Sequence, residues 1–152
     1  MTPLGWLHVS AAALALVTGA LVFASRKGTR RHVLLGRVYG IGMLLVNVPA
    51  LLLYEESGSL GPFHVLALIS LATLTLGLVP LMLGHRGSVH IARHGLFMSW
   101  SYVGLVAAGL AQLGNGLYGG VAVLIVSLVV VAVGGVTIHL LGPRIARAAT
   151  NG

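Results

Sequence analysis

The sequence predicts an all-α polytopic membrane protein, a helical bundle with about five transmembrane helices. Apolar residues make up 57% of the 152 residues and charged residues only 7%, whereas soluble domains carry about 25% charged residues. Five long apolar runs each come near the roughly 20 residues that a helix needs to cross a bilayer core. Backbone groups in lipid must be satisfied internally, and these runs are too long for barrel strands, so we expect helices.

The five predicted spans are separated by short breaks that carry Gly, Ser, Asn or charged residues, which suit turns. We expect the spans to form a single integral membrane domain over residues 1–152. Their approximate bounds are residues 3–24, 33–53, 62–83, 91–113 and 119–141.

The five spans differ in their charged and polar residues. The first has no basic residue before Trp6, and the cations follow it, which is typical of a retained first helix and not of a cleaved signal peptide. The second, third and fourth begin near a histidine and carry further polar residues at helical spacing. The fifth is mainly Val, Leu, Ala and Gly. We therefore expect a four-helix core that bears the histidines and a peripheral fifth helix that faces lipid.

The charges predict an orientation. The nine Lys and Arg give a formal net charge of +7 and lie around the first and third breaks and on the C-terminal tail, while Glu55 and Glu56 lie in the second break. Because cytoplasmic loops hold an excess of Lys and Arg, we expect the N-terminus outside and the C-terminus in the cytoplasm. This placement predicts the bacterial cytoplasmic membrane as the location and anionic lipids at its cytoplasmic face as partners.

Four histidines are the main chemical lead, because ionisable residues inside a membrane mark a site by default. His8 and His64 lie just inside the outer ends of the first and third spans, whereas His32 and His94 lie near the cytoplasmic ends of the second and fourth. Two imidazoles from different helices at one depth are what a haem iron needs. We therefore predict cofactor binding by these four histidines, with haem b or a divalent metal ion as the cofactor.

The two levels favour different cofactors. Haem propionates need cations, and the inner level offers Arg37 and Arg93, although the inner histidines fit a metal or proton site equally well. The outer level has no Lys or Arg, so His8 and His64 suit a divalent metal such as zinc, copper or iron. Met98 and Tyr102 share a helical face with His94, which adds them to the predicted cofactor-binding residues.

Several of these residues resemble a known bacterial membrane family. The resemblance is carried by His8, by Lys27-Gly-Thr-Arg-Arg-His32-Val-Leu-Leu-Gly36-Arg37-Val-Tyr39, by His64, and by His94-Gly-Leu-Phe-Met98 with Ser101-Tyr102. It covers about residues 5–112, and the family is the one called domain of unknown function 2306. The resemblance implies a membrane bundle and important histidine positions. The faces that bear the histidines are also similar, more loosely, to dihaem cytochrome b bundles.

Three functions remain open from the sequence. The first is haem or metal binding for electron transfer or cofactor handling, in which case an enzymatic role would be that of a membrane oxidoreductase component. The second is a non-catalytic membrane subunit or assembly factor, in which the histidines hold helices together and the partner is another membrane protein or a second copy. The third is a small transporter, which the absence of mid-membrane Asp, Glu, Lys or Arg disfavours.

Other classes are excluded or disfavoured by composition. The chain has no Cys, which excludes thiolate metal sites, Fe–S clusters and disulfides. The two glutamates give little to orient a histidine in a hydrolase triad. Nucleic-acid binding is not expected, because the cations flank spanning helices and lack an aromatic platform.

Overall fold

A computed structural model describes residues 3–52 and 62–150, with side chains for all of these except residues 62, 63, 114–118, 120 and 144–150. This part of the chain is helical and contains no strand. Each helix holds a segment long and apolar enough to span a membrane. The helices are α1 Pro3–Ala24, α2 Arg30–Leu52, α3 Pro62–Met82, α4 Ser88–Tyr118 and α5 Gly120–Thr150.

The predicted fold class is confirmed, and the helix bounds differ from the apolar runs mainly at polar ends. Helix α2 begins at Arg30 and α4 at Ser88, three residues before the predicted spans. Helix α5 continues to Thr150, well beyond the predicted end at residue 141. The apolar run marks the part of a helix that suits lipid, whereas the helix itself continues as long as backbone hydrogen bonds form, so the apolar runs underestimate the lengths of α2, α4 and α5.

The turns are defined by glycine and by capping hydrogen bonds. Thr29 precedes α2 and its Oγ1 accepts the backbone N–H of His32 at 3.2 Å, which is an N-cap. After α3, Gly84 has a φ of +87°, and the N–H of His85 donates to the carbonyl of Pro80 at 3.0 Å. A left-handed glycine with this bond pattern is a Schellman cap, which satisfies carbonyls at the helix end.

The chain divides into two compact units, Met1–Leu71 and Ala72–Gly152, so that α3 contributes to both. In the first unit α1 packs against α2, and a Cβ added at Gly42 would lie 3.2 Å from the Cβ of Ala15. In the second unit α4 packs against α5, and a Cβ added at Gly134 would lie 2.6 Å from both methyl groups of Val103. Glycine at these positions allows close backbone approach, as membrane helix pairs require.

Burial differs strongly between the helices. In the most apolar window of α2, 39% of the residues are buried, against 6% in that of α5. The buried residues of α1 are small ones, Ala11, Ala15, Thr18 and Gly19. Helix α5 thus presents most of its apolar surface outward, as expected for a lipid-facing helix.

The cations lie at the surface. All Lys and Arg side chains that the structure describes are exposed, namely Arg26, Lys27, Arg30, Arg31, Arg37, Arg86 and Arg93. The Nζ of Lys27 donates to the carbonyls of Val22 and Phe23 at the end of α1, at 3.2 and 3.3 Å. Desolvation there lowers the pKa of Lys27. Glu55 and Glu56 lie outside the described residues, and the orientation in the membrane stays a prediction.

Candidate histidine site

His8 of α1 is half-buried and contacts the neighbouring helix. Its Nδ1 lies 3.0 Å from the backbone carbonyl oxygen of Val46 in α2. Since a carbonyl oxygen only accepts, Nδ1 carries the proton and donates it. In the neutral ring, Nε2 therefore holds the lone pair, which is the form that ligates a metal.

His32 is held in the same tautomer by a side chain. Its Nδ1 lies 3.1 Å from the Oγ of Ser25. The hydroxyl of Ser25 donates its one hydrogen to the carbonyl of Val22 at 2.7 Å. The Oγ of Ser25 therefore accepts from His32, and the proton of the imidazole again sits on Nδ1.

His94 repeats the pattern of His8 in the second unit. Its Nδ1 donates to the backbone carbonyl of Gly77 in α3, at 2.9 Å. Gly77 also lies close to α4, because a Cβ added to it would lie 3.0 Å from the Sδ of Met98. The glycine thus allows α3 and α4 to approach each other one turn beyond the histidine.

His64 is the most buried of the four histidines, with 8% of its surface exposed. Its Nε2 is shielded from solvent. It shares a buried face of α3 with Ala67 and Ser70, which follow it at three-residue intervals. This face is turned toward protein and not toward lipid.

A second polar contact joins the helices of the first unit. The Nδ2 of Asn47 donates to the Oγ of Ser70 at 3.2 Å and to the carbonyl of Met43 at 2.8 Å. Asn47 directly follows Val46, the residue whose carbonyl accepts from His8. Adjacent residues of α2 therefore bond α1 on one side and α3 on the other, and His64 lies six residues before Ser70.

The other four residues predicted to bind a cofactor differ in their exposure. Met98 is buried and Tyr102 is half-buried on α4, whereas Arg37 and Arg93 are exposed. An exposed arginine at the end of a span is free to reach lipid headgroups or an anionic group at the membrane surface.

The predicted pairs differ in where their members lie. His8 and His64 belong to the same unit, on α1 and α3, whereas His32 and His94 belong to different units. The pairing of His32 with His94 therefore stays a prediction. Within the part of the chain that the structure describes, no group of three or more His, Asp or Glu is placed to hold a metal ion.

Sequence reasoning identified the four imidazoles but not their acceptors. The carbonyls of Val46 and Gly77 each lie three residues before a proline inside a helix, Pro49 and Pro80. Backbone acceptors carry no side-chain signal. The only available sign was the proline itself, which disturbs the hydrogen bonds of the preceding turn. Ser70 was also missed, because a lone serine in an apolar run is commonplace.

Apolar helices joined by polar contacts define this chain as a multi-pass integral membrane protein. The family described as predicted membrane protein (DUF2306) has a model that matches residues 5–141, and the chain belongs to this family. The resemblance to this family is thereby confirmed, and it extends into α5 as far as residue 141. No curated protein and no solved structure matched the chain.

Proposed function

We propose that this membrane protein binds a haem or a divalent metal ion through intramembrane imidazoles, for electron transfer or cofactor handling. The observation that carries the proposal is the shared tautomer of three histidines. In His8, His32 and His94 the Nδ1–H is donated to an oxygen of the protein. Imidazoles that ligate metals nearly always donate their other ring N–H in this way, which orients the ring and raises the basicity of the ligating nitrogen.

The pair His8 and His64 is the first site to test, because both residues lie in one unit. His64 supplies a buried imidazole, and the Val46 carbonyl holds His8. The charged residues of α2 are all near its start, at Arg30, Arg31 and Arg37, whereas Val46 lies near its end. A site without nearby cations suits a bare divalent ion better than a haem with two propionates.

The inner pair, His32 and His94, suits a haem. Arg31 and Arg93 directly precede these histidines, and Arg37 lies five residues after His32. Exposed guanidinium groups at this level are suited to pair with propionates. Met98 and Tyr102 follow His94 at one- and two-turn spacing on α4 and complete the group proposed to contact the cofactor. The same cations fit anionic lipid at the cytoplasmic face of the proposed bacterial membrane.

The test is the absorption spectrum and metal content of the purified full-length chain, expressed with haem precursor and trace metals. Haem binding predicts a Soret band that shifts on reduction, and metal binding predicts a stoichiometric ion. His8→Asn and His64→Asn are expected to remove the outer ion, and His32→Asn and His94→Asn the haem. His139→Asn is the matched control, since His139 is exposed on α5. A wild-type protein with neither a Soret band nor a bound ion contradicts the proposal.

A second function is favoured by the same contacts. The His8 and His94 bonds are interhelical hydrogen bonds in their own right, as expected of a non-catalytic subunit whose histidines hold helices together. In His8→Asn, the amide nitrogen of Asn takes a position near that of the histidine Nδ1. The substitution therefore keeps the hydrogen-bond donor but removes Nε2, the nitrogen that would ligate a metal. If packing is the whole role, His8→Asn keeps the wild-type thermal stability and assembly while His8→Leu loses both. If a cofactor is bound, His8→Asn loses it although the protein stays folded.

A further inference from the structure

A second histidine pair lies outside the site described above. The ring centroids of His85 and His90 are 5.2 Å apart, and the ring planes are tilted by 36°. His85 is exposed in the turn after α3, and His90 is half-buried in the first turn of α4. Neither ring is used by the proposed cofactor site.

Backbone hydrogen bonds fix the positions of both residues. The N–H of His85 donates to the carbonyl of Pro80, which closes the cap of α3 around the left-handed Gly84. The N–H of His90 donates to the carbonyl of Gly87 at 2.9 Å, which begins α4. The two imidazoles thus project from two defined helix ends and meet across a short turn.

The distance between the rings fits a shared metal ion. Imidazole nitrogen lies about 2.0–2.1 Å from a tetrahedral divalent metal, which places each ring centre roughly 3.2 Å from the ion. At the tetrahedral angle, two such centres are about 5.2 Å apart. The observed separation of 5.2 Å matches this value, so the positions of the two rings are compatible with one shared ion.

We propose that His85 and His90 form a metal site at the α3–α4 turn, with Cu²⁺ or Zn²⁺ as the ion. Imidazole is a suitable ligand for both. No third His, Asp or Glu joins the two among the residues that the structure describes, so water or another small ligand fills the other positions. The exposed guanidinium of Arg86 lies between the two histidines in sequence and opposes a cation, which makes the site weaker than a three-imidazole one.

The ion joins the end of α3 to the start of α4. His94, which bonds the Gly77 carbonyl of α3, lies one turn after His90 on the same helix. A metal at the turn therefore adds a second link between helices that are already bonded at that level. The proposal is independent of the cofactor site, because its two ligands differ from those of that site.

The experiment titrates Cu²⁺ into the full-length chain in detergent, with electron paramagnetic resonance to count ligating nitrogens. The wild type is expected to give a signal with two equivalent imidazole nitrogens. His85→Gln and His90→Gln are each expected to weaken Cu²⁺ binding by more than the roughly tenfold that even an outer-shell change costs. The control His139→Gln keeps wild-type binding.

A thermal melt with and without Cu²⁺ separates loss of the site from loss of the fold. The ion is expected to raise the melting temperature of the wild type and of His139→Gln, but not that of His85→Gln or His90→Gln. Without metal, His85→Gln and His90→Gln are expected to melt at the wild-type temperature. To exclude His8 and His64 as the source of the Cu²⁺ resonance signal, the titration is repeated with His64→Gln. Wild-type Cu²⁺ binding by His85→Gln, or loss of the signal in His64→Gln alone, overturns the proposal.

Discussion

Two histidine contacts in separate parts of the molecule share one arrangement. In the first unit, the Nδ1 of His8 on α1 donates to the carbonyl of Val46 on α2. In the second, the Nδ1 of His94 on α4 donates to the carbonyl of Gly77 on α3. Each acceptor lies three residues before a proline within its helix. The same pair of elements, an imidazole on one helix and a proline turn on its neighbour, thus recurs at two helix contacts.

The acceptors lie next to the carbonyls that the prolines leave without a helical partner. A proline inside a helix lacks the N–H that would bond the carbonyl four residues earlier, which is that of Leu45 before Pro49 and that of Leu76 before Pro80. Val46 and Gly77 each follow such a carbonyl by one residue, in the turn that the proline ring disturbs. In lipid no water bonds the backbone there, so an Nδ1–H donated from a neighbouring helix stabilises the disturbed turn.

The two regions differ in what surrounds the histidine. Beside Val46, Asn47 bonds Ser70 of α3, so three helices are joined at one level and the buried His64 lies on the third. Beside His94, the contact joins α3 and α4, and the tight neighbour is Gly77 itself. These hydrogen bonds thus connect three helices in the first region, and that of His94 connects two.

The largest effect is expected from filling the close approaches of the two regions. Gly42→Leu and Gly77→Leu each add a side chain where there is little space. A Cβ added at Gly42 would lie 3.2 Å from its nearest neighbour, and one added at Gly77 would lie 3.0 Å from its nearest neighbour. Overpacking of this kind costs about 1–3 kcal/mol. Gly42 is expected to be the worse site, because it meets the rigid Ala15, whereas Gly77 first meets the flexible end of Met98. Chemical unfolding in detergent measures the difference.

Gly36→Leu and Gly95→Leu are the matched controls on α2 and α4. An added Cβ at either glycine meets nothing within 4 Å, and Leu has the higher helix propensity, so stability is expected to stay level or rise. Equal losses at Gly42 and Gly36 would mean that α1 and α2 do not approach each other as described.

The sequence predicts the positions of the helices better than the way the helices pack. Apolar runs located all five helices, because lipid allows few other ways to satisfy the backbone. A small residue in an apolar run does not by itself mark the packed face: Ala107 and Ala111 are fully buried, whereas Gly36 has open space beside it. Which face of a helix packs depends on the neighbouring helix, and one sequence does not specify that neighbour. The same reason hid the acceptors of His8 and His94.

The second expected effect concerns the two histidine bonds. His8→Leu and His94→Leu each remove an interhelical hydrogen bond, for which about 0.6–1.7 kcal/mol is expected in a membrane protein. His8→Asn and His94→Asn keep a donor near the Nδ1 position and are expected to recover most of this loss. ¹⁵N NMR of histidine-labelled protein checks the tautomer directly, since it distinguishes a protonated ring nitrogen from one with a lone pair.

The shared arrangement predicts comparable losses in the two regions, because each substitution removes one bond to a backbone carbonyl of a neighbouring helix. A loss at only one of the two positions, or Nδ1 found without a proton at neutral pH, would argue against the shared arrangement.

The smallest expected effect concerns the Asn47–Ser70 contact of the first region. A double-mutant cycle between Asn47→Leu and Ser70→Ala is expected to give a coupling energy of about 0.6 kcal/mol, the average for side-chain hydrogen bonds in a membrane protein. The control cycle pairs Asn47→Leu with Thr137→Val, since the Thr137 hydroxyl bonds Val133 of its own helix, and should show no coupling. If Asn47 and Ser70 also showed none, the link between α2 and α3 next to the His8 contact would lose its support.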